Sequence, residues 1–225
     1  TVQSSCHAGL FAWVAGADSL VSDLTVTVAG ANLTCYNYPD FGTIAATLDG
    51  GTIRNCDVIV KGDIITNLPN GSAGGIASSA VGSIEYCTVT LESGSIIAEG
   101  WSKQTGGIAG YSNASIQSCD VIIGAGECIR SSECTGGIAG ILGKYGSVVG
   151  CTVTGEGSIE AFPQKSYSQY IGGIAGYMYE ATITDCLNEV MIDATNVTKI
   201  HEGDQVYAGG IIGYVGSLSM ITGCE

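Results

Sequence analysis

The sequence contains few basic residues and few charges of either sign. Lysine and arginine number 7 of 225 residues, against 21 aspartates and glutamates, so the net charge is −14. Nucleic-acid binding needs a basic surface that meets the phosphates, and this composition argues against it. An anionic membrane surface is disfavoured for the same reason. We expect the acids on the outside, where they keep the protein soluble.

Long apolar runs are also missing, although the mean hydropathy is +0.34. Glycine and serine interrupt every candidate before it reaches the roughly 18 apolar residues of a membrane-spanning helix, so no membrane insertion is expected. No segment carries apolar residues at i, i+3, i+4 and i+7 over three turns, which argues against helix. The apolar residues are therefore expected in a buried core.

Metal-binding and catalytic patterns are scarce. There is no Cys-x-x-Cys pair and no repeated Asp-x-Asp loop, so neither zinc nor calcium is expected, and no cofactor is predicted. The only histidines, His7 and His201, fall in unrelated parts of the sequence, and the carboxylates are scattered. A hydrolase or lyase needs such groups clustered in one groove. We predict that the protein is not an enzyme.

Glycine is abundant, with 35 residues, and much of it belongs to one repeated phrase. The phrase reads GGIAGY at Gly106–Tyr111 and Gly172–Tyr177, and weaker copies begin with GLFAWV at Gly9–Val14. Its apolar third position recurs at spacings of 33, 32, 32, 30, 36 and 37 residues. That position is occupied by Phe11, Ile44, Ile76, Ile108, Ile138, Ile174 and Ile211. A period of this size predicts a stacked repeat architecture.

A second phrase, apolar-x-x-Cys-x-Val, lies inside most periods. Its cysteines form a predicted core ladder of Cys56, Cys87, Cys119, Cys151, Cys186 and Cys224. In the first copy Leu24 takes the cysteine position, and leucine shares apolar burial with cysteine but not its chemistry. A third phrase, such as Gly94-Ser95-Ile96-Ile97, completes the period. All three phrases are short, β-branched and bounded by turn residues, as strands are.

These phrases predict an all-β fold, a parallel β-solenoid over residues 1–225 as a single domain. We expect about seven coils of roughly 30–37 residues, with three short strands per coil and equivalent residues stacked about 4.8 Å apart. The isoleucine position, starting at Phe11, is expected to form one inward column. The cysteine position with Leu24 is expected to form another.

Ten cysteines in a chain without a zinc pattern indicate an oxidising compartment, hence secretion to an extracellular or cell-surface location. A chain that begins at Thr1 is what removal of a signal peptide would leave. Stacked in-register ladder cysteines are awkward for the disulfide torsion, so we expect buried thiols there. Disulfides are expected instead at the off-ladder positions, with Cys128 and Cys134 stapling a loop and Cys6 and Cys35 joining the first coil to the second or to another molecule. N-x-S/T sequons mark four glycosylation candidates, Asn32, Asn70, Asn113 and Asn196.

GGIAGY followed by GSI and a valine-rich strand resembles the GLUG repeat of bacterial and archaeal surface proteins, and GLFAWV is similar to the opening of that repeat. The resemblance covers nearly the whole chain. It implies a surface protein and supplies no catalytic residues, and the cysteine ladder departs from the usual aliphatic slot. A looser similarity, based on strand stacking and cysteine content, is to the extracellular sheath proteins of filamentous methanogenic archaea.

Two functions remain open. One is an extracellular structural protein that adds to copies of itself, head to tail, in a sheath, coat or filament. The other is an adhesin stalk or a carbohydrate-binding module that contacts cell-surface glycans. The first and last coils lack a polar cap, which favours assembly through exposed strand edges. The predicted assembly ends are Leu10, Phe11, Trp13, Ile211, Ile212, Tyr214 and Ile221. The eleven tyrosines are expected to stack along the rod, and a sugar-binding face is the alternative.

Overall fold

A computed structural model describes residues 5–33, 37–66, 71–100, 103–162, 168–195, 197 and 205–225. Within these ranges the protein is all-β, with no helix, and every strand pairing is parallel. The chain winds repeatedly through four sheets, which we name A to D in the order in which it meets them. One passage through the sheets is called a rung. The predicted fold class, a parallel β-solenoid, is confirmed.

Each rung contains between three and five short strands. Rung 1 contains β1 (Ser5–Ala8), β2 (Phe11–Ala15), β3 (Leu20–Ser22), β4 (Thr25–Val28) and β5 (Ala31–Leu33). Rung 2 contains β6 (Asn37–Gly42), β7 (Ala45–Arg54), β8 (Asp57–Val60) and β9 (Ile64–Thr66), and rung 3 contains β10 (Ser72–Gly74), β11 (Ala77–Glu85), β12 (Thr88–Leu91) and β13 (Ile96–Ala98). Rung 4 contains β14 (Gln104–Gly106), β15 (Ala109–Ser112), β16 (Ser115–Gln117), β17 (Asp120–Ile123) and β18 (Cys128–Ser131). Rung 5 contains β19 (Cys134–Gly136), β20 (Ala139–Leu142), β21 (Ser147–Val149), β22 (Thr152–Gly155) and β23 (Ser158–Ala161). Rung 6 contains β24 (Gln169–Gly172), β25 (Ala175–Met178), β26 (Thr182–Thr184), β27 (Leu187–Asn188) and β28 (Met191–Asp193), and rung 7 contains β29 (Val206–Gly209), β30 (Ile212–Val215) and β31 (Met220–Thr222).

Each strand pairs with its equivalent in the next rung. Sheet A has seven strands, β1-β6-β10-β14-β19-β24-β29, sheet B has twelve, and sheets C and D have six each. Rung 7 contributes described strands to sheets A and B only. The number of complete coils is therefore slightly lower than the predicted seven. The expectation of three strands per coil is also too low. The chain crosses four sheets, and most rungs place two successive strands in sheet B.

The repeated Gly-Gly-Ile phrase forms the reversal between sheets A and B rather than a strand. In rung 4, β14 ends at Gly106 and β15 begins at Ala109. A Cβ on Gly106 would overlap the Ala109 carbonyl oxygen and would lie 2.6 Å from that of Ile138. The fifth position is equally close, since a Cβ on Gly140 would lie 2.6 Å from the Thr105 nitrogen in sheet A. The glycines therefore allow two sheets to pack backbone against backbone.

The corner before each cysteine position has a left-handed backbone. Its residue has a positive φ in every rung, at Asp23, Asn55, Tyr86, Ser118, Gly150, Asp185 and Gly223. The phrase apolar-x-x-Cys-x-Val thus wraps around this corner, with its apolar residue in sheet B and its valine in sheet C. Left-handed non-glycine residues cost of order 1 kcal/mol each, which the stacked rungs on either side offset.

The interior is formed by columns of equivalent apolar residues. Ile44, Ile76, Ile108, Ile138 and Ile174 are fully buried, which confirms most of the predicted isoleucine column, and Ile211 is half-buried in rung 7. Phe11 was placed wrongly in this column. The Phe11 N–H donates to the Ile44 carbonyl and its register partner is Ala45, so Leu10 occupies the isoleucine position. The cause is the single glycine of Gly9-Leu10, which shortens the reversal by one residue.

Candidate assembly surfaces

The first rung exposes side chains at positions that are sealed in the interior of the solenoid. Leu10 is 55% exposed, whereas Ile44 in the same column of the next rung is 0% exposed. Phe11 and Trp13 are exposed as well. An open groove on this face is lined by residues that include Val26, Val28 and Phe41. The face therefore has the composition of the core, and none of the described rungs covers it.

The last rung exposes a complementary set. Val215 is 46% exposed and its column neighbour Met178 is 0% exposed; the same contrast holds for Ile221 at 37% and Ile183 at 0%. Tyr214 is exposed, and Ile211 and Ile212 are half-buried. The seven residues predicted as assembly ends thus lie on the two terminal rungs, at opposite ends of the stack.

The last Gly-Gly pair shows what an additional rung would meet. A Cβ on Gly173 would overlap the carbonyl oxygen of Gly210 in the following rung. A Cβ on Gly210 would have nothing within 4 Å. No described contact therefore requires a small residue at position 210. The open side of Gly210 is the side on which the next rung would lie.

The six ladder cysteines are free thiols at the inner side of the left-handed corner, and all except Cys224 are buried. Each thiol donates a weak hydrogen bond to the carbonyl two residues earlier, for example Cys87 Sγ to Glu85 O at 3.3 Å and Cys119 Sγ to Gln117 O at 3.3 Å. Five of the six predicted ladder positions are thus buried, and Cys224 is half-buried. The thiol adds a weak second donor to a corner carbonyl that already accepts a backbone N–H, as Gln117 O does from Tyr86, and the Leu24 side chain cannot donate in this way.

The predicted Cys128–Cys134 staple is not formed, since both residues are free and buried. The loop between them is closed by hydroxyl groups instead: Ser131 Oγ donates to the Cys134 carbonyl at 2.8 Å and lies 2.9 Å from Thr135 Oγ1. Burial raises the pKa of Cys128 to about 11 and that of Cys134 well above its usual value, so both stay protonated at neutral pH. The side chain of Cys6 and all of Cys35 lie outside the described residues.

Among the glycosylation candidates, the structure describes the side chain of Asn113 alone. Asn113 is half-buried, and its amide oxygen is sealed from solvent. Its N–H donates to the Ala80 carbonyl at 2.8 Å, so its backbone is held against rung 3. The side chain of Asn32 and the residues Asn70 and Asn196 lie outside the described part of the chain.

Tyrosines form a compact cluster on the outer side of sheets A and B. Tyr177 and Tyr214 stack with ring centroids 5.3 Å apart, and Tyr170 and Tyr207 stack at 5.2 Å. The tyrosine after GGIAG was expected to stack along the whole rod. It does so only between rungs 6 and 7, because Ile141 separates Tyr111 from Tyr177 in this column. The partners Tyr170 and Tyr207 were not predicted, although Tyr-x-Gly-Gly recurs at both positions.

The sequence did not reveal a cluster of polar side chains around Asp40, a residue of β6 in sheet A. Asp40 accepts hydrogen bonds from Ser78 Oγ at 3.1 Å and from the Ser72 N–H at 3.3 Å, and His7 Nδ1 lies 3.2 Å from its other oxygen. Burial raises the pKa of Asp40. Lys103 is fully buried nearby, and its ammonium has no hydrogen-bond partner among the described atoms. Burial lowers the pKa of Lys103 to about 8, against the opposing influence of Asp40.

We expect Lys103→Met to stabilise the protein at neutral pH. Because the pKa of Lys103 is lower when folded, the unfolded chain binds more protons between pH 8 and 10.5, and wild-type stability rises with pH across that window. The variant's advantage should be about 3 kcal/mol below pH 8 and should shrink as the pH approaches 10.5. Chemical denaturation of both proteins across this pH range measures it. Lys61→Met, at an exposed ion pair with Glu92, is the control and should change little. An advantage that does not vary with pH would show that Lys103 is not a buried cation.

Within the described ranges no group of three or more His, Cys, Asp or Glu side chains is arranged to hold a metal ion. The described residues also contain no helix long and apolar enough to cross a membrane. Comparison of the chain with protein-family models, with curated proteins and with solved structures found no match. The site that the geometry defines is thus a pair of open solenoid ends and one aromatic cluster.

Proposed function

We propose that this chain is an extracellular structural protein that adds head to tail to copies of itself, forming a sheath, coat or filament at the cell surface. The observation that carries the proposal is the exposure of core columns at both terminal rungs. Leu10 and Val215 stand half-exposed at positions that are completely buried one rung inward. Burial of these columns by a second copy would supply apolar free energy, and the parallel strand edges would supply hydrogen bonds.

The two end faces match in backbone spacing and in the columns of side chains that they expose, as well as in hydrophobicity. Gly210 leaves room for the backbone of a following rung, as Gly173 leaves room for that of Gly210. In a continued stack, Cys224 would lie over Leu24 of the next copy, because both occupy the cysteine column. A contact between two different faces propagates instead of closing as a dimer, which gives a filament or a ring.

Charge is expected to control the assembly. Three described basic side chains already pair with acids of the adjacent rung, with Lys61 to Glu92 at 3.4 Å, Arg130 to Glu160 at 3.7 Å and Lys144 to Glu180 at 3.1 Å. The remaining excess of negative charge makes copies repel one another at low ionic strength. Assembly should therefore be favoured by salt.

The proposal predicts that Val215→Lys prevents assembly and leaves the fold intact. In a single molecule the lysine can extend into solvent from the end face, whereas a following rung would bury its charge without a partner. Sedimentation velocity and electron microscopy at high protein concentration should show polymers of the unmodified chain and monomers of the variant. Circular dichroism should be the same for both.

Val81→Lys is the matched control. Val81 is 44% exposed, nearly the same as Val215, but it lies on the flank of rung 3 beside Asp49. This variant should assemble like the unmodified chain. A monomeric unmodified chain at high concentration and salt, or equal assembly of both lysine variants, would contradict head-to-tail stacking and favour the adhesin stalk, in which further coils of the same polypeptide cover the ends.

A carbohydrate-binding module is the second candidate, and the tyrosine cluster favours it. Aromatic rings beside polar groups are a common platform for sugar rings, and Tyr214 is 40% exposed. Its ring is already stacked on Tyr177 on one side, so one face remains for a ligand. Glycan-array binding that is lost in Tyr214→Ala and retained in Tyr145→Ala would support this alternative.

A further inference from the structure

Four tyrosines of rungs 6 and 7 form a cluster that we call the tyrosine quartet: Tyr170, Tyr177, Tyr207 and Tyr214. Tyr170 and Tyr207 are register partners in sheet A, and Tyr177 and Tyr214 are register partners in sheet B. Both pairs are stacked almost parallel, with interplanar angles of 10° and 2°. The strand register therefore holds two phenol rings over two others.

The two columns also contact each other. Tyr170 lies edge-on to Tyr177 at 5.4 Å and to Tyr214 at 5.5 Å, and Tyr207 lies edge-on to Tyr214 at 5.5 Å. The quartet ends at rung 5, where the same columns hold Cys134 and Ile141. Tyr214 is 40% exposed, so the cluster is accessible from solvent. The adjacent rung folds with Cys134 and Ile141 in these columns, so the strand register by itself does not require phenols there.

We propose that the tyrosine quartet is a site of oxidative cross-linking, at which a carbon–carbon bond joins a tyrosine of rung 6 to its partner in rung 7. A one-electron oxidant, such as a haem peroxidase with hydrogen peroxide, removes one electron and one proton from each of two phenols. The two phenoxyl radicals combine at ring carbons ortho to the oxygens. Each of those carbons then loses its proton while the oxygen regains one. Two tyrosines thus give one dityrosine, two electrons and two protons, and the peroxide is reduced to two waters.

The position of the quartet gives this bond a structural consequence. Rung 7 is poorly buried, since Val215, Met220 and Ile221 are all exposed. A bond from Tyr177 to Tyr214 would attach β30 covalently to β25, and fraying of the last rung would then be suppressed. Ring stacking keeps the reacting carbons close before oxidation, so coupling within the quartet should outpace coupling between molecules.

The test is brief photo-oxidation of dilute protein with ruthenium tris-bipyridyl and persulfate, followed by tryptic digestion and mass spectrometry. Because trypsin cuts after Lys165 and Lys199, the rung 6 tyrosines fall in peptide 166–199 and the rung 7 tyrosines in peptide 200–225. We expect these two peptides to be joined, with a loss of two hydrogen atoms, in protein that still migrates as a monomer on a denaturing gel. Fragmentation should place the bond at the quartet residues.

Two tyrosines serve as internal controls. Tyr145 is 80% exposed and Tyr86 is 59% exposed, and neither contacts another ring among the described residues. If exposure governs the reaction, their peptides will dominate the cross-links, and the proposal is wrong. It is also wrong if the joined pair fails to form under conditions that couple free tyrosine.

The double variant Tyr207→Phe and Tyr214→Phe keeps the stacked rings but removes the phenols of rung 7. It should abolish the joined peptide pair, because residues 200–225 then contain no tyrosine to couple. Persistence of the pair in this variant would overturn the assignment. The inference does not depend on head-to-tail assembly, since it is tested on dilute monomer and concerns bonds within one chain.

Discussion

Ile108→Asp should leave the chain unable to fold. Ile108 is fully buried in the middle of the isoleucine column, with Ile76 and Ile138 directly on either side. The substitution removes a large apolar side chain and buries a carboxylate that has no partner, which we expect to cost about 5 kcal/mol or more. That loss is comparable to the whole stability of many domains. Circular dichroism and protease resistance of the purified variant measure the outcome.

Ile122→Asp is the matched control for this substitution. Ile122 lies in β17 of the same rung, but it points outward and is 40% exposed. Its register partners are Thr90 and Thr154, so a polar residue fits this column. The control should fold with nearly unchanged stability. If both aspartate variants fold equally well, the assignment of inward and outward faces is wrong by one residue.

Gly106→Ala should be almost as damaging, although it adds only one methyl group. The new Cβ would overlap the Ala109 carbonyl oxygen and would lie 2.8 Å from Ala139 Cα. Both obstacles are backbone atoms held by rungs on two sides, so the strain has no easy relief. We expect a loss of about 3 kcal/mol or more, measured by chemical denaturation.

Gly210→Ala repeats the same chemical change in the last copy of the phrase. Because nothing lies within 4 Å of the added Cβ, the isolated chain should keep its stability. Comparison of the two alanine variants separates the steric effect from the general loss of backbone freedom when glycine is replaced. Equal destabilisation of both would show that the close approach of sheets A and B is not what requires glycine.

The sequence allowed the solenoid, its period and most of its core to be predicted, because these depend on a pattern repeated in every coil. It did not show that Gly-Gly-Ile is a reversal. Isoleucine and alanine there look like strand residues. A Cβ on Gly106 is excluded by the Ala109 carbonyl across the reversal and by backbone atoms of Ile138 and Ala139 in the next rung, which the sequence does not place together. Sheet A was missed because its strands, such as Gln104–Gly106, can be as short as three residues and contain no apolar alternation.

The candidate surfaces were predictable to different degrees. The residues predicted as assembly ends lie on the first and last described rungs, and their role in assembly stays a prediction. Phe11 was assigned to the isoleucine column wrongly because its copy of the phrase has one glycine fewer. The disulfide staple failed because spacing along the chain does not show that Ser131 and Thr135 already close the loop. Lys103 gives no signal in the sequence, since a single lysine just before the short strand Gln104–Gly106 resembles an ordinary surface residue.

Resistance to pulling should differ with direction in this molecule. The strands run across the rod, so the hydrogen bonds between rungs, spaced about 4.8 Å apart, point along its length. Tension applied at the two ends is carried in full by every pair of rungs, so the weakest pair yields first and the protein should lengthen in discrete steps of one rung. Force applied across the rod is shared by four sheets at once. A solenoid of this kind is therefore stiff when compressed from the side and extensible along its axis.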